Sequence, residues 1–107
     1  MTAYAIAHLH DVEFGPEIVQ YLERIDETLV PFGGKFVVHG ARPDVREGDW
    51  NGDLIMIAFA DLADARGWYE SESYQRILPL RMRNSRGAVI LIDGVEEGHR
   101  ATDNLKR

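Results

Sequence analysis

Residues 53–60, DLIMIAFA, carry the first decision about this chain. A short, unbroken apolar run bounded by polar residues reads as a strand buried on both faces. Leu54, Met56 and Ala58 share one face of that strand; Ile55, Ile57 and Phe59 share the other. Asp61 follows at once, a residue type that caps helix N-termini, with Asp64 placed to favour the positive end of the same helix. The strand therefore runs directly into a helix, LADARGWYES over 62–71.

The remaining elements fall into place on either side. Downstream, Ser71 or Ser73 restarts a second helical piece, SYQRILPLRMRNS over 73–85. Pro79 lies inside it, and proline either kinks a helix or removes one ladder bond, here the one to Gln75. GAVILID over 87–93 is another strand. Upstream, KFVVH over 35–39 is a strand that opens into the loop ARPDVREGDW. AYAIAHL over 3–9 alternates small Ala3, Ala5 and Ala7 with bulky Tyr4, Ile6 and His8, the period of two expected of a strand. Pro16 suits the first turn of a helix whose apolar stripe is Ile18, Leu22, Ile25 and Leu29, and Gly33-Gly34 stops it. The order β-α-β-β-α-β predicts an α+β, ferredoxin-like antiparallel sheet with both helices on one face. The domain covers 1–95, and the polar stretch 96–107, without periodicity, is a C-terminal tail.

Helices on one face leave the other face of the sheet uncovered, yet 53–59 and 87–93 are apolar on both faces. A second copy packed sheet to sheet resolves this, so the sequence predicts a homodimer, a dimeric α/β barrel.

Composition narrows the function classes. The 107 residues suit one domain, with 45% hydrophobic and 28% charged residues, an ordinary globular balance. A net charge of −6, with the basic residues scattered, argues against nucleic acid as a partner. Without cysteine there is no disulfide framework and no thiolate chemistry. No charged-then-apolar leader opens the chain and no run reaches the roughly 18 apolar residues of a membrane span, so a soluble cytoplasmic protein is expected.

The stretches FGGKFVVHG, EGDW, FADLADARGWYESESYQRILPLR and VILIDG, in this order and spacing, resemble the domain-of-unknown-function 1330 family of dimeric α/β-barrel proteins. The resemblance runs from residue 3 to about 95 and implies the ferredoxin-like fold and the face-to-face dimer. It implies no reaction.

Several residues are candidates for chemistry. His39 ends a strand beside Gly40, with backbone room for a ligand, and histidine is the residue type suited to proton transfer near neutral pH, so it is the candidate catalytic group. Arg81 follows the proline kink and is a candidate for holding a carboxylate or phosphate; Arg76 and Arg83 read instead as solvated or ion-paired. Trp68, Tyr69 and Tyr74 offer aromatic wall for a ligand site, and Trp50 is expected to pin the loop that it closes. Glu47 and Asp49 belong to that loop, whose charges alternate in sign as a solvated segment's do. His8 and His10 share a strand face, but no third ligand is evident, so no metal is assigned. Phosphate-binding glycine loops, nucleophile elbows and dinucleotide fingerprints are absent, so no cofactor is assigned.

These residues predict a cleft between sheet and helices that takes a small molecule with an acidic group, Arg81 holding the acid and His39 exchanging a proton. Two alternatives stand beside it: a non-catalytic binding or interaction module whose pocket is packed with aromatics, and an enzyme resembling cofactor-free oxygenases or isomerases, which share this general barrel shape. Whether the protein is an enzyme is left open by the sequence.

Overall fold

The computed structural model describes residues 1–106; Arg107, the last residue of the polar tail, lies outside the described residues. The elements are β1 (Ala3–His10), α1 (Pro16–Leu29), β2 (Lys35–Val38), β3 (Asp53–Phe59), α2 (Leu62–Glu70), α3 (Glu72–Met82) and β4 (Arg86–Asp93). All strand pairs are antiparallel and the sheet order is β2-β3-β1-β4. The expected α+β ferredoxin-like sheet is therefore the observed one, with the helices together on one face.

Local chemistry explains the element ends. Pro16 opens α1, where a missing N–H costs nothing. A single 3₁₀ turn, Val30–Phe32, follows α1 before Gly33 closes it in the left-handed region, φ 68°. The Asp61 carboxylate accepts from the Asp64 N–H at 2.8 Å and caps α2. Ser71, not Ser73, restarts the helix: its hydroxyl accepts from the Tyr74 N–H and donates to the Trp68 carbonyl, joining the end of α2 to the start of α3. Pro79 does not end α3, which continues to Met82 without the bond that proline cannot make to Gln75.

β1 places its small residues inward. Ala3 and Ala5 are buried beneath the helices, while Tyr4, Ile6 and His8 point to the opposite face. In α1 the buried residues are Ile18, Tyr21, Ile25, Thr28 and Leu29, whereas Leu22 is 39% exposed. The stripe thus runs through Tyr21 and Thr28 rather than Leu22. Both are amphipathic, and both find hydrogen-bond partners inside: Tyr21 with Tyr74, and Thr28 with Trp68 and the Ile25 carbonyl. The core closes over β3 and β1 with Ile57, Phe59, Trp68, Tyr74, Ile77 and Leu78.

The other sheet face is open and apolar. Ile90, Ile6, Met56 and Val38 stand in one cross-strand row, and Ile90 and Ile92 are 49% and 46% exposed. No helix among the described residues is long and apolar enough to cross a membrane. The tail forms a short exposed 3₁₀ segment, Ala101–Lys106, held where the Arg100 N–H donates to Asp103.

The loop after β2 is exposed from Ala41 to Trp50. Trp50 folds back over the open sheet face and stacks on His8, ring centroids 4.4 Å apart, while its Nε1–H donates to the Gly52 carbonyl at 2.9 Å. Gly52 comes so near β1 that a Cβ would stand 2.1 Å from the Leu9 oxygen. Trp50 thus contacts β1 through His8 from the end of the loop, but at 40% exposure it is not a core residue. We expect Trp50→Ala to cost about 1 kcal/mol in the isolated chain, well short of the 3–5 kcal/mol of a buried tryptophan. Chemical denaturation at low protein concentration checks this value.

Candidate functional site

Between the sheet and α1 and α3 lies a cavity of about 240 Å³. Ala5 and Ala7 of β1 form part of its floor, and their short side chains are what leave the space. Ile18, Ile25, Phe36, Ile55, Trp68 and Val89 supply apolar wall. The polar side chains on it are Tyr21, Tyr74, Arg81, Ser85, His39 and Asp53. The volume lies just under the roughly 300–1,000 Å³ of drug-sized sites, which suits a ligand of one ring or its equivalent.

Arg81 is buried, 9% exposed, near the end of α3. Its guanidinium carbon is 5.9 Å from the centre of the Tyr21 ring. The neighbouring arginines are neutralised: Arg76 pairs with Glu72, and Arg83 with Glu17, whose carboxyl Arg83 and Asn84 hold below the usual carboxylate range. Arg81 has no carboxylate within ion-pair distance among the described residues. Asp53 is the carboxylate on the cavity wall, and it is exposed. Burial opposes the Arg81 charge, but Tyr74 and Tyr21 offset it and the pKa stays above the ordinary guanidinium value.

Tyr21 and Tyr74 join hydroxyl to hydroxyl at 2.8 Å, both buried, from segments 53 positions apart. Burial, with Tyr74 beside it, pushes the Tyr21 phenol far above its ordinary value, so it remains protonated. Trp68 stacks against Tyr74, centroids 4.1 Å apart, and its Nε1–H donates to Thr28. Trp68 and Tyr74 stand on the cavity wall. Tyr69 does not: it is partly buried and packs its ring against Trp68 and Tyr74 at 6.1 and 5.5 Å, away from the lining. Tyr21, Asp53 and Ser85 also stand on the cavity wall and were absent from the sequence-based candidates.

His39 reaches the same cavity through a backbone irregularity. In a regular strand it would share a face with Lys35 and Val37. The β2–β3 register shifts between Phe36 and Val38, so that Val38 opposes Met56 and Val37 is the extra residue. His39 is thereby turned to the Phe36 side, and the two rings stack at 4.5 Å. It lies just past the end of β2, exposed, at the cavity rim with Gly40. His39 and Arg81 therefore line one cavity, one at its rim and one inside.

His8 and His10 have other partners. His8 Nε2 lies 2.6 Å from the Asn51 carbonyl, and His10 Nδ1 lies 2.8 Å from the Asp11 carboxylate.

A four-stranded antiparallel sheet with helices on one face and a buried arginine in the space between defines a ferredoxin-like protein with a sheet–helix cavity. The chain belongs to the family described as domain of unknown function (DUF1330), whose model matches residues 2–95. No curated protein matches it. Among solved structures, a dimeric ferredoxin-like protein of unknown function from Jannaschia sp. CCS1 is similar with a TM-score of 0.65 at 18% identity, covering 90% of this chain and all of that one. The methylated RPA0582 protein gives 0.63 at 12%, over 92% of this chain and 84% of that one. SnoaB, a cofactor-independent oxygenase from Streptomyces nogalater, gives 0.59 at 17%, over 92% and 98%. At such identities the likeness is one of fold.

Proposed function

We propose that this protein binds a small organic acid in the sheet–helix cavity, its acidic group on Arg81 and its apolar body against Trp68 and Tyr74. His39, at the rim, is placed to exchange a proton with the bound molecule. The observation that carries this reading is the buried Arg81 charge without a carboxylate partner among the described residues. A buried charge is costly unless paired, and an anionic ligand supplies the missing partner. The cavity itself speaks against a module packed shut by aromatics, because the aromatic side chains line the space without filling it. SnoaB is an oxygenase on the same fold, but a shared fold assigns no reaction.

Benzoate is a suitable probe. Calorimetric titration of the wild-type protein is expected to give saturable binding, with Arg81→Lys weaker by about 10–100-fold, the worth of a hydrogen bond to a charged group. Ala7→Leu, which fills the cavity from its floor, should abolish binding. The NMR signals of the His39 ring are expected to move as benzoate is added. Benzoate that fails to bind at millimolar concentration, or binds Ala7→Leu as well as wild type, sinks the reading.

The open sheet face supports a second part of the proposal, a homodimer packed sheet to sheet. The Jannaschia protein is described as dimeric, and the row through Ile90, Ile6, Met56 and Val38 offers the apolar surface such a contact needs. A contact of this kind should bury more than roughly 1,000 Å².

A further inference from the structure

We propose that the Tyr21–Tyr74 hydroxyl pair and Arg81 together form a receptor for a delocalised oxygen anion on a flat, apolar molecule, such as an aryl carboxylate, a phenolate or an enolate. This rests on the reading of the cavity as an anion site and adds the chemistry of the ligand.

Each phenol has one O–H to donate, and the 2.8 Å contact between the two hydroxyls uses one of the two. The other O–H has no acceptor among the hydrogen bonds of the described residues, although Tyr74 is 2% and Tyr21 8% exposed. A buried donor without an acceptor is uncommon in a folded protein. The neighbouring polar chain shows what a closed network looks like. The Trp68 N–H donates to the Thr28 hydroxyl at 2.9 Å, and that hydroxyl donates to the Ile25 carbonyl at 2.6 Å, leaving no proton over. Trp68 is therefore wall, while the tyrosine pair still has a hydrogen bond to give.

The guanidinium carbon of Arg81 stands 5.9 Å from the centre of the Tyr21 ring, and Arg81 likewise lacks a carboxylate partner among the described residues. A neutral donor and a cation side by side suit charge spread over an oxygen and the π-system it joins. The wall is flat and aromatic at Trp68, Tyr74 and Phe36, and the floor is the low surface of Ala5 and Ala7. A planar ring bearing its anion at the inner end fits both features. Chains of hydroxyls polarise one another, so the tyrosine that accepts within the pair is the stronger donor to a ligand.

The test uses 4-nitrophenol, whose coloured phenolate reports its own ionisation, and 4-nitrotoluene, a neutral molecule of like size. Occupancy is read from Trp68 emission in a Trp50→Phe background. We expect the phenolate to bind at least about tenfold tighter than both nitrotoluene and neutral nitrophenol, so that bound nitrophenol ionises at a pH about one unit or more below the free probe. In Tyr21→Phe/Tyr74→Phe that preference should fall about tenfold while nitrotoluene binds as before. Replacing both partners of a buried hydrogen bond by isosteric apolar groups is nearly neutral for folding, so the variant is expected to fold. Should it fail to fold, Tyr21→Phe alone, which keeps one hydroxyl but breaks the relay, should lose part of the preference. Wild-type preference in either variant overturns the receptor and leaves Arg81 as the anion site. Binding of nitrotoluene without preference for the phenolate overturns the anion site itself, and binding of neither overturns the cavity as a ligand site.

Discussion

Trp68→Ala is expected to lower the stability of the protein by about 3–5 kcal/mol, the usual cost of removing a buried tryptophan. Trp68 is 2% exposed and touches Phe59, Tyr69 and Tyr74, so its loss opens a hole at the centre of the core. The ring also carries the hydrogen bond that ties α2 to Thr28 of α1, bridging segments 40 positions apart. For a domain of this size each kcal/mol moves the melting midpoint by about 4–8 °C, so the shift should exceed about 12 °C. Trp68→Phe, which keeps most of the stacking and loses the N–H, should fall between the two. Urea denaturation that leaves Trp68→Ala within about 1 kcal/mol of wild type would contradict this account of the core.

The second large effect concerns assembly. Ile90→Lys is expected to weaken self-association by about 100-fold or more while leaving the chain folded. Ile90 is 49% exposed in the single chain, so a lysine there meets water and costs the monomer little. In a sheet-to-sheet dimer two-fold symmetry brings two such charges into one apolar contact, and like charges so placed cost several kcal/mol. Sedimentation across a concentration series measures the shift. A wild type that is monomeric at micromolar concentration, or a variant that associates as wild type does, would refute the sheet-to-sheet dimer.

Much of the fold was legible in particular residues. The Asp61 cap, Pro16, the Gly33 stop and the two-residue period of β1 each act within a few positions, and each stands where the sequence places it. Arg81 was singled out from its place after Pro79 and does line the cavity, as do Trp68 and Tyr74. Tyr21 escaped because a tyrosine one place before Leu22 reads as the edge of an apolar stripe. Its burial depends on a hydroxyl partner contributed by another helix. The alternation of alanine with bulky residues in β1 did contain a signal for the cavity, since the small side chains point beneath the helices and the large ones outward.

By itself the sequence determined the β-α-β-β-α-β order, the capped helices and a sheet apolar on both faces, because these follow from residue periods and from end groups acting over a few positions. Only the tertiary structure decided that His39 shares a cavity with Arg81. The one-residue slip at Val37 reverses the side on which His39 lies, and nothing in the run KFVVH marks it, because a bulge arises from how β2 pairs with β3. The meeting of Tyr21, Tyr74 and Arg81 was likewise decided by packing. It brings α1 against α3, and residues that distant in the chain become neighbours only when both helices settle on the same sheet.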